Sequence, residues 1–342
     1  MITLSDVAKA AGVSPSAVSK ALLGGGGKTT RVSEEKVRRI RETAERLGYR
    51  PNLMAQRLAR KSQDIIGLIV DSQCCYLYSS IMSTIEQQTC QAGYRLQIGL
   101  VHDNLDAIKR YVDDFLGYNI QSVICLAHYY DFSKEIPRLF KPFANPIFIG
   151  RPMTDEKFSF VSPDYYANFC QAMEYLFSLN RTKAVFVKTV YTTYDMEIRA
   201  QAFRDMHRKH GIPFEESQIY CGPVYECNTP ELMKLLLDEV LPMHPDALIL
   251  GSAEATLLAI RQLSERGIRV PEDISIIGME AWSGCSSVIP SITVMDNNPH
   301  QIAVETINAI IRNIESKKPE IREIFVRGQL IPGESCCRKP AV

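Results

Sequence analysis

Gly12 separates two helical patterns too short to be stable alone, and the tight turn it sets between them constrains the fold more than any other feature. Upstream, Thr3 is followed three residues later by Asp6, a capping-box-like pair whose side chains satisfy orphan N–H groups of a helix start. Leu4 to Ala11 then reads as a helix that stops at Gly12. Downstream, Ser14 and Pro15 open a second helix, because serine accepts an N–H bond at the cap and proline tolerates the first helical position. Val7, Ala8 and Ala11 interlock with Val13, Val18 and Ala21 in a small core, leaving Ser16, Ser19 and Lys20 outward. A third helix begins at Ser33, carries Val37, Ile40, Ala44 and Leu47 at helical spacing, and ends at Gly48.

Two helices joined by so short a turn match a helix-turn-helix, whose second helix reads base edges in the major groove. A generic three-helix packing module is the competing reading. Charge separates the two. Residues 1–63 hold 13 Lys and Arg against 5 Asp and Glu, a local +8, while the rest of the chain carries −8 and brings the total to zero. A basic headpiece on an acidic body is the footprint of phosphate neutralisation. Some of this charge, at Arg38, Arg39, Arg41 and Arg46, has the alternative role of solvating the third helix.

After Gly48 the chain runs Tyr49-Arg50-Pro51-Asn52-Leu53-Met54-Ala55-Gln56-Arg57-Leu58-Ala59-Arg60, where Asn52 caps a short helix bearing Ala55 and Leu58 on one side. DVAKAAGVSPSAVSKAL, RVSEEKVRRI, LGYRPN and the spacing of Asn52, Ala55 and Leu58 resemble the bacterial lactose-repressor family. The resemblance implies DNA contacts from Thr3, Ser14, Pro15, Ser16, Ser19 and Lys20, and a hinge helix formed by the segment carrying Asn52, Ala55 and Leu58. It also implies that Leu58 enters the minor groove at a central step. Such a wedge unstacks the step at about a few kcal/mol and kinks the duplex toward the protein. The competing role for Leu58 is a buried anchor against the body. Lys20 stands where the family usually has Arg, so a bidentate fork becomes a point charge, and Leu23 replaces a common Asn. Both departures imply an operator unlike the common one. The Gly24–Gly27 run with Lys28 and Thr29 lengthens the next loop; it follows a helix and lacks the first glycine of a P-loop, which argues against nucleotide binding.

The remaining residues show strands alternating with helices: Ile65–Val70, Arg95–Leu100, Val123–Leu126, Pro146–Gly150, Ala184–Val187, Ala247–Leu250 and Ile274–Gly278 are β-rich, with helical stretches between several of them. This alternation implies parallel sheets covered on both faces, with ligands beyond the carboxyl ends of the strands. IIGLIV, GIRVPEDISIIG and GQLIPGESC extend the resemblance to about residue 336. The fold implied is an N-terminal all-α helix-turn-helix headpiece and an α/β body of two Rossmann-like lobes, the periplasmic-binding-protein type I fold. The expected divisions are headpiece 1–49, hinge and linker 50–63 and body 64–342, with the first lobe at about 64–162 and 292–324 and the second at about 163–291 and 325–336. No apolar run reaches the ~18 residues of a membrane span and no signal peptide precedes the DNA-binding pattern, so a cytoplasmic location is expected. Ten cysteines, including Cys74-Cys75 and Cys336-Cys337, fit no zinc or disulfide framework and read as reduced apolar fillers.

The resemblance implies a homodimer that binds operator DNA under the control of a small molecule, such as a sugar, held between the lobes. Cys75-Tyr76-Leu77-Tyr78, Ser252-Ala253 and Gly278-Met279-Glu280-Ala281 depart from the family's effector-site patterns, whereas Arg199 in Arg199-Ala200-Gln201-Ala202-Phe203 matches the arginine that grips the effector. Arg199 and Glu280 offer donors and acceptors to vicinal hydroxyls, and Tyr78 offers a face for stacking. The other reading is that Arg199 and Glu280 pair with each other across an empty cleft. A phosphorylated ligand, a protein partner and no effector are further alternatives. No catalytic motif, cofactor signature or metal site is expected. His207 and His210 read as favouring the helix C-terminal dipole. A periplasmic binding protein and an enzyme on a doubly wound fold are the rival classes.

Overall fold

A computed structural model describes residues 2–23, 33–50, 65–72, 76–128, 130, 132–188, 194–221, 229–316 and 319–339. It divides into two units, Met1–Ser62 and Gln63–Val342. In the first, α1 (Leu4–Ala11) starts from a reciprocal cap: Asp6 N–H donates to Thr3 Oγ1 at 3.3 Å and Thr3 N–H donates to Asp6 Oδ2 at 2.8 Å. Gly12 ends the helix at φ 62°, a left-handed conformation that glycine adopts without a Cβ clash. α2 (Pro15–Leu23) starts from Ser14, whose Oγ accepts the Ala17 N–H at 3.2 Å. Ser33 precedes α3 (Glu34–Arg46) without a side-chain cap bond. Val7, Ala8, Ala11, Val18, Ala21, Ile40 and Ala44 form the core, edged by Leu4, Val13, Val37, Leu47 and Tyr49.

The body holds two six-stranded sheets. The first comprises β1 (Ile65–Asp71), β2 (Arg95–Val101), β3 (Ser122–Leu126), β4 (Asn145–Ile149), β5 (Ser159–Pro163) and β11 (Glu323–Val326) in the order β11-β5-β4-β3-β1-β2, all parallel. Its central strands are buried on both faces, which is why β1 reads as an unbroken apolar run. Ile66, Leu68 and Val70 pack with Ile81 and Ile85 of α4 (Tyr76–Gln91) and Ile302 and Ile307 of α11 (Pro299–Glu315). Ile65 and Ile69 pack on the other side with Ile108, Val112 and Phe115 of α5 (Leu105–Gly117) and Ile136 of the short α6 (Ile136–Leu139). The second sheet comprises β6 (Ala184–Lys188), β7 (Ile219–Cys221), β8 (Ala247–Leu250), β9 (Ser275–Gly278), β10 (Thr293–Asp296) and β12 (Gln329–Ile331), ordered β12-β10-β9-β8-β6-β7 with only β12 antiparallel. α7 (Tyr165–Ser178), α8 (Tyr194–His210), α9 (Pro230–Val240) and α10 (Ala253–Glu265) cover it.

Two lobe divisions differ from those expected. Thr293–Asp296 belongs to the second sheet, because Thr293 pairs with Ile277 and Val294 with Gly278, so the return into the first lobe follows Asp296 instead of beginning at 292. Phe325 and Val326 stay in the first sheet beside Ser162 and Pro163, past the expected division at 324. The chain thus crosses between lobes after β5, after β10 and after β11. One buried asparagine touches all three crossings. Asn168 of α7 donates to Asn297 Oδ1 at 2.9 Å and accepts the Gly328 N–H at 2.8 Å, and Asn297 donates to the Met279 carbonyl at 2.9 Å. Gly328 is obligatory there, since a Cβ would meet the Asp296 carbonyl and come within 2.7 Å of Asn168 Nδ2. Elsewhere in the second lobe, the fully buried Arg181 donates to the carbonyls of Asp246, Pro271, Glu272, Asp273 and Cys337, binding the VPED turn and the segment at Cys337 to the sheet.

His128, just past β3, is 1% exposed and donates from Nε2 to the Ile149 carbonyl at 2.7 Å. Burial pushes its imidazole down to about 4. Among the described residues, no helix is long and apolar enough to cross a membrane, and Cys90, Cys125, Cys170, Cys221, Cys285, Cys336 and Cys337 are free thiols.

Asn168→Leu removes both a donor and an acceptor from the crossings and should cost ~2–4 kcal/mol in urea unfolding; a change below ~0.5 kcal/mol contradicts its pinning role. The second expectation concerns pH. The unfolded chain protonates His128 below about pH 6.5, whereas the folded imidazole stays neutral until about 4. Its contribution to stability is complete above about pH 6.5 and is lost as pH falls from there toward 4, by up to ~3 kcal/mol. The stability gap between the native chain and His128→Asn should therefore shrink with acid; a gap independent of pH excludes this account.

Candidate functional site

On α2, Ser16 is exposed and Ser19 and Lys20 are half-exposed, while Val18 and Ala21 are buried. Positions 16, 19 and 20 share one helical face by their i, i+3, i+4 spacing, so the buried residues on the other side hold a polar stripe toward solvent. Pro15 is exposed at the start of the same helix. Thr3 and Ser14 are exposed too, but their hydroxyl oxygens accept the N–H bonds that start α1 and α2. Their first task is to shape the turn. On α3, Arg38 pairs loosely with Glu42 at 3.8 Å, and Arg39, Arg41 and Arg46 are exposed. Asn52, Ala55 and Leu58, and the Gly24–Gly27 loop, lie outside the described residues.

In the body, α8 starts beyond the carboxyl end of β6, the edge at which open α/β sheets take ligands. Arg199 on this helix is 6% exposed. Its Nη1 donates to Asp195 Oδ2 at 3.1 Å, one turn earlier, and its guanidinium lies 4.5 Å from the centre of the Tyr165 ring. Arg199 Nε and Asp195 Oδ1 are buried and have no hydrogen-bond partner among the described residues. Glu280, expected to act with Arg199, has a different bonding partner. It follows β9, is 7% exposed, and accepts the Leu77 N–H at 3.2 Å. Leu77 is in the first turn of α4, so a second-lobe carboxylate satisfies an orphan N–H of a first-lobe helix. The ion pair of Arg199 is with Asp195, which overturns the reading of an Arg199–Glu280 pair. Tyr78 is half-buried and packs with Leu77 and Met82 against the first-lobe core.

The sequence reading missed the partners that complete this boundary. Arg151, after β4, donates to the Tyr194 hydroxyl at 2.9 Å with its guanidinium 4.4 Å from that ring's centre, a further bridge between lobes. Asp195 carries a readable signal, an acid four residues before an arginine on one helix; the Arg151–Tyr194 contact carries none. Ser252, where the family pattern has changed, caps α10 by accepting the Ala255 N–H at 3.2 Å. The histidines on α8 also need correction. His207 is fully buried among Phe177, Phe203 and Phe214, and burial lowers its pKa, so it is no cation for the helix dipole. His210 pairs instead with Glu174 at 2.9 Å.

Known proteins match both parts of this architecture. The family of bacterial regulatory proteins called lacI matches residues 3–52, and a periplasmic binding protein-like domain matches residues 173–336. The HTH-type transcriptional repressor PurR of Pasteurella multocida is 24% identical over 338 residues, covering 97% of each chain. Catabolite control protein A of Priestia megaterium is 25% identical over 294 residues, covering 85% of this chain and 86% of its own. Among solved structures, the lac repressor dimer bound to operator and the anti-inducer ONPF aligns with a TM-score of 0.83 at 18% identity, covering 98% of this chain and 99% of that one. A complex of the transcriptional regulator CelR with cellobiose aligns with a TM-score of 0.71 at 20% identity, covering 98% and 100%. With a capped helix-turn-helix at one end and a two-lobed body after it, the chain belongs to the lacI family of bacterial regulatory proteins and is a DNA-binding transcription regulator.

Proposed function

We propose that the protein is a cytoplasmic repressor that binds a palindromic operator as a homodimer and responds to a small molecule, a sugar or sugar derivative, between the lobes of its body. The observation that carries this reading is the solvent-facing polar stripe of Ser16, Ser19 and Lys20 on a helix anchored by Val18 and Ala21, in a segment of net charge +8. The stripe enters the major groove and reads base edges, Thr3, Ser14 and Pro15 lie against the backbone, and Asn52, Ala55 and Leu58 form the hinge that wedges the minor groove. The headpiece occupies 1–49, the hinge and linker 50–63 and the body the rest. An operator-bound dimer among the structural neighbours supports the symmetric site. Cellobiose in one neighbour and ribose in a lacI-family regulator from Enterococcus faecium support a sugar. Arg199, Glu280 and Tyr78 are the contacts assigned to it.

The dimer needs a surface on the body, and β2 offers one. It is an edge strand of the first sheet, with Ile98 41% and Leu100 55% exposed. An apolar edge is a liability in a monomer and a seam in a dimer.

Selection from random duplexes should return a symmetric motif bound by the full chain; an asymmetric consensus, or none, overturns the operator reading. Lys20→Ala should weaken the selected site by ~1–3 kcal/mol. Leu58→Ala should lose specific affinity while keeping most salt-sensitive binding to unrelated DNA, and equal loss of both refutes the wedge. Leu100→Asp should shift sedimentation from dimer to monomer; an unchanged dimer places the seam elsewhere.

A further inference from the structure

The cleft reading leaves the chemistry of the ligand open, and the ion pair of Arg199 narrows it. An arginine at a ligand site ordinarily draws phosphate or carboxylate, because its planar fork matches both. Here that charge is already balanced inside the same helix turn. Asp195 and Arg199 are 8% and 6% exposed, and their 3.1 Å contact is shielded from solvent. An anion placed at Arg199 would face the Asp195 carboxylate at close range in a medium that screens poorly. Tyr165 covers one face of the guanidinium. Of the two side chains that bridge the lobes nearby, Glu280 is acidic and Arg151 basic, so these four side chains sum to no net charge.

The pair also exposes what a neutral ligand needs. Arg199 Nε is an unused donor and Asp195 Oδ1 an unused acceptor, both buried. A hydroxyl donates and accepts at once, so neighbouring hydroxyls satisfy both without bringing charge. The first turn of α8 faces the other lobe, because Tyr194 meets Arg151 there. Resting on the reading of the cleft as an effector site, we propose that Asp195, juxtaposed with Arg199, makes the cleft select uncharged polyhydroxyl ligands and reject phosphorylated or carboxylated ones.

The test compares thermal unfolding of the full-length native chain, Asp195→Asn and the double variant Asp195→Asn with Arg199→Gln, in 10 mM inorganic phosphate against chloride of equal ionic strength, about a hundredfold above an assumed Kd of ~0.1 mM. The native chain should show no phosphate-specific shift. Asp195→Asn should gain an upward shift of about 2 °C or more, and the double variant should lose it. A native chain stabilised as much as Asp195→Asn overturns the proposal, as does an Asp195→Asn variant indifferent to phosphate. If Asp195→Asn unfolds too early to measure, Asp195→Ser carries the same comparison. D-ribose against D-ribose 5-phosphate, and D-glucose against D-glucose 6-phosphate, form the second arm on the native chain. A larger shift from the neutral member of either pair supports selection by charge, and a larger shift from the phosphorylated member refutes it. If the neutral sugars are silent while the phosphate arm behaves as expected, the sugar-effector reading is what fails, and the charge selectivity of the Asp195–Arg199 pair stands.

Discussion

Three separate strands of chain pass between the lobes, and one amide side chain holds them together. Asn168 binds Asn297 on the second crossing and the backbone of Gly328 on the third, while itself lying just after the first. A buried amide satisfied on both its oxygen and its nitrogen is specific in direction as well as stabilising. Because each crossing is fixed relative to the others, the carboxyl ends of the two sheets face each other in a defined register. The opposition of Arg151 to Tyr194 and of Glu280 to Leu77 depends on that register. Gly328 belongs to the same device: a side chain there would push the third crossing off the second.

The headpiece solves a different problem. Helices of 8, 9 and 13 residues are marginal alone, so their stability comes from caps and a core of small apolar side chains. Alanines at 8, 11, 21 and 44 allow close helix approach. That core consumes the apolar positions of α2, and the remaining positions are polar because packing does not need them. The recognition stripe is thus what the small core leaves outside.

Much of this was legible in the residues. The Thr3–Asp6 cap, the Gly12 stop, the Ser14–Pro15 start and the Gly48 end are local chemistry, and local chemistry survives folding unchanged. The strands of the first sheet's centre were equally readable, because double burial writes an unbroken apolar run. Five strands are not legible: β5, Ser159–Pro163, carries two serines and a proline, and β7, β10, β11 and β12 are only three or four residues long. The division expected at about 292 puts the residues of β10 in the first lobe, because strand partnership is a tertiary fact absent from its own residues. The site divides along the same line. Arg199 was visible by its motif and Asp195 by its spacing of four, but Glu280 reaches a partner 203 residues away, and nothing near either residue records it.

The Glu280 contact changes how a ligand in the cleft has to be counted. A carboxylate that already serves as the terminal acceptor of another lobe's helix is not idle while the cleft is empty. A ligand hydroxyl that engages Glu280 must either share it with the Leu77 N–H or strip that N–H of its acceptor. In the second case binding is an exchange, in which one hydrogen bond forms as another lengthens, and the net affinity is the difference between them. The same exchange loosens the seam between the lobes at the moment of occupancy. A small molecule need not push the lobes apart or pull them together; substituting for a few atoms of the protein's own fastening is enough to bias their equilibrium.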